Sequence, residues 1–187
     1  MKLHILKHLK IIKMKAKIKV KLINENVQLP EISSNGDWID LRAAEDISIK
    51  APQAGTQYTK DNAKYRDVMS STYYIPLGVA IKLPKGYEAI VASRSGTPRK
   101  FNITPSNGIG IIDGSYCGNN DEWNYICSPL NNTTIKAGDR ICQFRIQLSQ
   151  HATILQKLKW LFTNGVEIVK VDNLDNTDRG MNITGYN

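Results

Sequence analysis

Along residues 14–23, M-K-A-K-I-K-V-K-L-I, apolar and lysine positions alternate strictly, the period of a strand with one buried face. The same period runs through residues 73–83, where Ile75, Leu77, Val79, Ile81 and Leu83 fall on one face, and through residues 140–148. Pro84-Lys85-Gly86 is a turn, so residues 87–92 read as a returning strand. Turn residues at 33–37 lead into Trp38, Ile39 and Leu41, and shorter runs at 47–50, 123–130, 133–135 and 166–171 predict further strands. Only residues 154–162 change period. Apolar residues at 154, 155, 158, 161 and 162 predict a helix, with Asn164-Gly165 as its stop. Many short strands separated by turns, with at most one short helix, predict an all-β barrel or jelly roll.

Three stretches stand apart from this pattern. Residues 107–123, N-G-I-G-I-I-D-G-S-Y-C-G-N-N-D-E-W, set two short apolar runs about glycines and read as strand, tight turn, strand. Residues 51–72 are polar and lack apolar periodicity, the mark of a surface insertion. Residues 1–13 place Ile5, Leu9 and Ile12 at helical spacing among lysines, without the cleavage site or apolar core of a signal peptide. Met14 offers an alternative start. The expected organisation is a basic N-terminal extension (1–13), a β-domain (14–172) with insertions at 51–72 and about 154–165, and a C-terminal arm (173–187).

A length of 187 residues with 41% hydrophobic side chains suffices for one well-packed core. No run approaches the ~20 apolar residues of a membrane span. The net charge of +8 is misleading as a whole. Residues 1–22 hold eight lysines and no acid, which leaves 17 basic against 17 acidic residues elsewhere. A basic tail on a neutral body is not a nucleic-acid-binding domain by composition, and no specific nucleic acid is expected as a partner. Cys117, Cys127 and Cys142 match no zinc spacing, and an odd count argues against a disulfide framework. Buried free thiols in a cytoplasmic protein are expected. His4, His8 and His151 cluster with nothing in the sequence and form no triad with a serine, which disfavours histidine-dependent catalysis and metal-histidine chemistry.

Candidate chemistry concentrates in residues 107–123. A glycine-rich stretch lets a flat ligand approach main-chain N–H and C=O groups, and Asp113 and Tyr116 stand three residues apart beside them. The plain alternative is an ordinary hairpin with Asp113 as turn former and Tyr116 as core.

Four segments together carry a resemblance. G-D-W-I-D-L-R-A-A, S-R-S-G, N-x-x-G-x-I-D-x-x-Y-x-G and G-D-R-I-C-Q-F occur in this order, and the chain over roughly 14–50 and 73–150 resembles the trimeric dUTPases. The wording is closest to the branch of phages and Gram-positive bacteria. That resemblance implies hydrolysis of dUTP to dUMP and pyrophosphate at sites shared between the subunits of a homotrimer, with Mg²⁺ bound mainly through the triphosphate. It implies a cytoplasmic enzyme, in the host cytoplasm if phage-encoded, that limits uracil in DNA and supplies dUMP for thymidylate synthesis.

Residue by residue, the resemblance makes Asp113 the general base that orients the attacking water. Tyr116 would lie flat on the deoxyribose and exclude a 2′-hydroxyl. Asn107 and the backbone at Gly110 and Ile111 would read the uracil edge. Arg94, Ser95 and Gly96 would bind phosphate, Gln143 would contact phosphate or the catalytic water, and Asp40 and Arg140 would support them as a pair, with Asp40 also able to touch a metal-bound water. No residue is assigned as a direct metal ligand.

The chain also departs from the family pattern. Its end, D-R-G-M-N-I-T-G-Y-N, keeps Arg179 as a γ-phosphate clamp but lacks the middle glycines and the aromatic of the usual arm. Trp123 could supply an aromatic lid over the base instead, or be a core tryptophan. The usual proline before R-S-G is Ser93 here. The insertions at 51–72 and 154–165 could bind a partner protein. Two other readings share the fold or the composition: a nucleotide-binding regulatory protein with weak or no turnover, and a dCTP deaminase-like enzyme, which would need a glutamate where the chain has the dUTPase wording.

Overall fold

The structure is a computed structural model that describes residues 14–32, 36–58, 64–69 and 71–174. The alternating runs form strands, and the burial of their side chains follows the alternation. In β1 (Met14–Leu22), Ala16, Ile18, Val20 and Leu22 are buried, whereas Lys15, Lys17 and Lys19 face water. β2 (Glu31–Ile32), β3 (Ile39–Arg42) and β4 (Ile47–Ile49) follow, then β5 (Gln53–Tyr58) and β6 (Lys64–Met69). Next come β7 (Tyr73–Lys82), β8 (Tyr87–Ser93), helix α1 (Thr97–Phe101), β9 (Ile103–Pro105) and β10 (Gly110–Ile112). The order closes with β11 (Glu122–Pro129), β12 (Thr133–Ile135), β13 (Arg140–Leu148), helix α2 (Ile154–Leu161) and β14 (Thr163–Lys170).

Two five-stranded sheets enclose the core, one ordered β14-β1-β7-β11-β9 and the other β10-β8-β13-β3-β2. The pairs β12-β4 and β5-β6 stand apart. The inner faces supply Ile18, Val20, Ile75, Ile81, Ile39 and Leu41, among others, to one continuous apolar cluster. Its largest members meet across the sheets: Trp123 of β11 touches Phe144 of β13 edge to face, with ring centroids 5.2 Å apart and planes at 75°. The expected all-β jelly-roll class is the observed one.

Several local expectations are corrected. Residues 107–123 are not a hairpin. β10 pairs with β8, and β11 pairs with β7 and β9 in the opposite sheet, so this stretch is a crossover between sheets. Local patterning cannot separate the two, because apolar-glycine-apolar suits either connection. Residues 51–72 contain a paired antiparallel hairpin, β5-β6. Among the described residues there are two helices rather than one at most. The S-R-S-G-T-P-R-K stretch, expected as a loop, contains α1, started by a proline in its first turn and ended at Asn102 in the left-handed region with φ 51°. One turn and a half is too short to show helical periodicity.

Helix α2 is where expected, opened by a capping box between Thr153 and Gln156, and it buries none of its residues. It ends before Asn164-Gly165, which already belong to β14. There the pairing with β1 shifts by one residue and Gly165 sits at φ 83°, so the glycine accommodates a bulge rather than a helix stop. Among the described residues no helix is long and apolar enough to cross a membrane. Residues 1–13 and 175–187 lie outside the described residues.

Two measurements check this core. Trp123 is 1% exposed, so Trp123→Ala is expected to lower unfolding free energy by about 3–5 kcal/mol, read from the urea midpoint. The three cysteines are buried and free. Burial pushes the Cys127 thiol up to about 11 and raises that of Cys142 further. Ellman's reagent at pH 8 is expected to react far more slowly with the native protein than with the unfolded chain.

Candidate active site

One sheet carries all four motif segments. β8 lies between β10 and β13, and β13 lies between β8 and β3, so segments far apart in sequence become neighbours. In the β13–β3 register Gln143 faces Asp40, and in the β13–β8 register Gln143 faces Ala92 and Cys142 faces Ser93. The chain leaves β8 at Ser93 and turns through Arg94, Ser95 and Gly96 into α1, with the Thr97 amide donating to the Arg94 carbonyl at 3.0 Å.

Asp40 organises this end of the sheet. Its Oδ1 lies 2.8 Å from Arg94 Nε and its Oδ2 lies 3.1 Å from Arg140 Nη1, and the carboxylate is only 12% exposed. A single carboxylate thereby holds two guanidiniums in place without using all their donors. Gln143 Nε2 donates to the Ser93 carbonyl at 3.4 Å. Beside them opens a cleft of about 520 Å³ around Gly96, lined by Arg42, Arg94, Arg99, Lys100 and Arg140. One acid, Asp139, stands at its edge, 2.9 Å from Lys100 Nζ. Partial burial raises the Asp139 pKa, but the Lys100 and Lys136 hydrogen bonds and the Lys100 charge outweigh it and hold the carboxyl below its usual range. Five cations exceed the two acids that pair with them, Asp139 at the edge and Asp40 behind Arg94 and Arg140, and the surplus makes a site for a polyanion.

The Asn107–Tyr116 segment builds a different surface. β10 pairs with β8 on one side only and is the edge of its sheet, so the other edge of its backbone faces outward at Gly110 and Ile111. A Cβ added to Gly110 would meet Val91 Cβ at 3.4 Å and Asn107 Nδ2 at 3.7 Å, which places the Asn107 amide over the glycine. Ile111 is exposed. Asp113 is also exposed, and its Oδ1 accepts from the Ser115 amide at 2.8 Å and from the Ser115 hydroxyl. These bonds make it a turn former as well as a candidate base. Tyr116 is half-buried against the core, its hydroxyl donating to the Glu122 carbonyl at 3.0 Å. Asp113 and Ser115 line a second cleft of about 800 Å³ with Lys82, Lys85 and His151.

The two groups are apart within one chain. β8 and β10 run antiparallel with Val91 opposite Gly110 and Ala89 opposite Ile112. Continuing that register puts Asp113 beside Glu88, six residues from Arg94, or roughly 20 Å along the strand. Asp40, Arg94, Arg140 and Gln143 gather at one end, and Asp113 and Tyr116 lie toward the other.

Trp123 is not a lid. It is buried in the core against Phe144, and a side chain packed between two sheets cannot stack on a bound base. Strand alternation decides this: β11 buries every second residue, and Trp123 falls on the inner face. Arg179 lies outside the described residues. Sequence reasoning passed over Arg42, Arg99 and Lys100 as cleft cations. Arg42 sits inside the D-L-R motif and the other two in a stretch read only as a basic loop, so residue type was visible and convergence was not.

The comparisons with known proteins agree with one another. The dUTPase family model matches residues 62–186, a span that begins after Asp40. The SPbeta prophage-derived deoxyuridine 5'-triphosphate nucleotidohydrolase YosS of Bacillus subtilis is 42% identical over 163 residues, covering 87% of this chain and 93% of its own length. A deoxyuridine 5'-triphosphate nucleotidohydrolase of Finegoldia magna is 35% identical over 176 residues, 90% of this chain and all of that protein. Among solved structures, a mutant dUTPase from phage phi11 of S. aureus that coordinates a structural Mg(II) ion superposes with a TM-score of 0.56 at 18% identity, covering 73% of this chain and 94% of that one. Two sheets, one of them carrying all four motif segments, and a match across most of the chain place this protein in the dUTPase family.

Proposed function

We propose that the protein hydrolyses dUTP to dUMP and pyrophosphate at sites built by more than one copy of the chain. The separation of Asp113 from the Arg94-Ser95-Gly96 loop is the observation that carries the shared site. A general base must stand within hydrogen-bond reach of the water it activates, and that water attacks the triphosphate. Roughly 20 Å of sheet, by register, lies between Asp113 and the basic loop of the same chain. A second copy that presents its own loop to Asp113 closes the distance, and the homotrimer of the resemblance supplies one.

In this reading the outer edge of β10 at Gly110 and Ile111, with the Asn107 amide, pairs with uracil. Backbone donors and acceptors in a fixed strand discriminate by hydrogen-bond match, which rejects cytosine more strongly than shape alone would. The Tyr116 ring, fixed through its hydroxyl on the Glu122 carbonyl, supports the deoxyribose. Asp113 accepts the proton of the attacking water as a phosphoanhydride bond breaks and pyrophosphate departs. Arg94, Ser95, Gly96 and Gln143 hold the phosphates and the charge that develops on the leaving group. Asp40 fixes Arg94 and Arg140, and Arg179 closes on the γ-phosphate from the C-terminal arm.

Among the described residues no three His, Cys, Asp or Glu side chains gather as a metal-binding group, and both oxygens of Asp40 face arginines. This donor set fits an Mg²⁺ carried by the triphosphate oxygens, which are the hard ligands that ion prefers. Bound there, it would offset charge on the triphosphate and on the leaving pyrophosphate.

A nucleotide-binding regulator of the same fold is the second reading. It is favoured by α2 and the residue after it, where Ile154, Leu155, Leu161 and Phe162 are exposed, an apolar surface suited to a protein partner.

Pyrophosphate release from dUTP, dCTP, dTTP and UTP with Mg²⁺ separates the readings. Turnover of dUTP alone, lost by at least 10³-fold in Asp113→Asn with dUTP binding retained, is the expected result. Binding without turnover in the wild type would favour the regulator. Shared sites have their own test. Asp113→Asn and Arg94→Ala chains, each inactive alone, are expected to regain part of the activity after unfolding and refolding together. Mixtures as inactive as the separate variants would refute sharing.

A further inference from the structure

Ser93 departs from the family wording, and its surroundings give the departure a use. It ends β8 and is the residue immediately before Arg94. Its hydroxyl lies 2.5 Å from the hydroxyl of Tyr125, with either able to donate. Tyr125 belongs to β11, which pairs with β7 in the opposite sheet, where Tyr125 faces Ile75. The contact is therefore a polar tie across the core between the two sheets. Tyr125 is 3% exposed, and burial pushes its phenol up to about 12, so the hydroxyl keeps its proton near neutrality.

The other side of the loop is tied as well. Thr97, 1% exposed, donates its hydroxyl to the Ile141 carbonyl of β13 at 2.7 Å. The Ser93 carbonyl also accepts from Gln143. Arg94, Ser95 and Gly96 thus span two posts, the half-buried Ser93 on Tyr125 and the buried Thr97 on Ile141, while Ser95 and Gly96 stay exposed between them. A proline at position 93 has no hydroxyl and could not make the first post.

We propose that Ser93 and Tyr125 are positioning residues that fix the Arg94-Ser95-Gly96 loop for the substrate's triphosphate. This rests on the reading of that loop as the phosphate site. Neither residue touches substrate. Their shared hydrogen bond sets where β8 ends and therefore where the loop's amides and the Arg94 guanidinium point. Loss of the Ser93 hydroxyl leaves the buried Tyr125 hydroxyl unpaired, and loss of the Tyr125 hydroxyl leaves the half-buried Ser93 hydroxyl unpaired; the chain relieves either by shifting the strand end.

The experiment uses the full chain as Ser93→Ala, Tyr125→Phe, the double variant and Ser93→Thr. Calorimetry measures the affinity of a non-hydrolysable dUTP analogue and of deoxyuridine, which has no phosphate; KM and kcat for dUTP are taken alongside. Each single loss is expected to weaken the triphosphate analogue by about tenfold, the size of one hydrogen bond. The double variant is expected to be no weaker than either single one, because one bond is removed in all three. Deoxyuridine affinity stays unchanged, Ser93→Thr retains wild-type affinity, and KM rises more than kcat falls.

Unaltered triphosphate affinity in folded Ser93→Ala protein would overturn the proposal. An equal loss for deoxyuridine would do the same, since it would mark a general structural role, and so would additive losses. Where Tyr125→Phe fails to fold, Ser93→Ala against Ser93→Thr decides. Wild-type binding of dUTP without pyrophosphate release would sink the hydrolysis reading alone, because the affinities still report the positioning.

Discussion

Strand β8 is hydrogen-bonded along both edges, to β10 on one side and β13 on the other, and the candidate site depends on that double pairing. Register in a sheet has no tolerance for a one-residue slip, because every side chain would change face. With Val91 opposite Gly110 and Phe144 opposite Val91, the positions of the β10 edge and the Arg94-Ser95-Gly96 loop are fixed relative to one another. Pairing of β3 onto β13 then delivers Asp40 to the end where Arg94 emerges. The four motif segments are thus four places on one rigid surface.

What holds that surface rigid is the second sheet. The edge-to-face contact of Trp123 and Phe144 and the cluster around it bury both inner faces, and close packing leaves little freedom for one sheet to slide on the other. Two polar ties run within this architecture, Ser93 to Tyr125 between sheets and Thr97 to the Ile141 carbonyl beneath the loop. Both are buried or nearly so, which makes their geometry costly to break. The exposed Lys136–Asp46 and Lys170–Glu25 pairs, by contrast, contribute little to stability.

Charge is distributed to match. The body of the chain is neutral by count, yet Arg42, Arg94, Arg99, Lys100 and Arg140 converge on one cleft. Asp40 neutralises part of that charge while orienting two of its members. Such an arrangement favours a ligand carrying several negative charges, and its distance from Asp113 along the sheet is what motivates the proposal of a site shared between copies of the chain.

The sequence by itself determined the strands, because alternation with period two is a local property that burial of one face must obey; β1, β7, β8 and β13 lie where their patterns put them. It determined α2 by the same logic at helical period. The motif residues were visible too, as residue types at characteristic spacings that resemble a family. Tertiary structure decided the rest. The pattern at 107–123 was compatible with a hairpin, and only pairing with distant strands made it a crossover. Trp123 was compatible with a lid, and only the inward face of β11 made it core. Arg99 and Lys100 were an undistinguished basic pair until α1 turned them toward Arg94 and Arg140. The separation of Asp113 from the Arg94-Ser95-Gly96 loop was invisible as well, since it follows from the β8–β10 register. Local patterns record which side of an element meets the core, whereas partner, register and convergence arise from contacts between residues far apart in the chain.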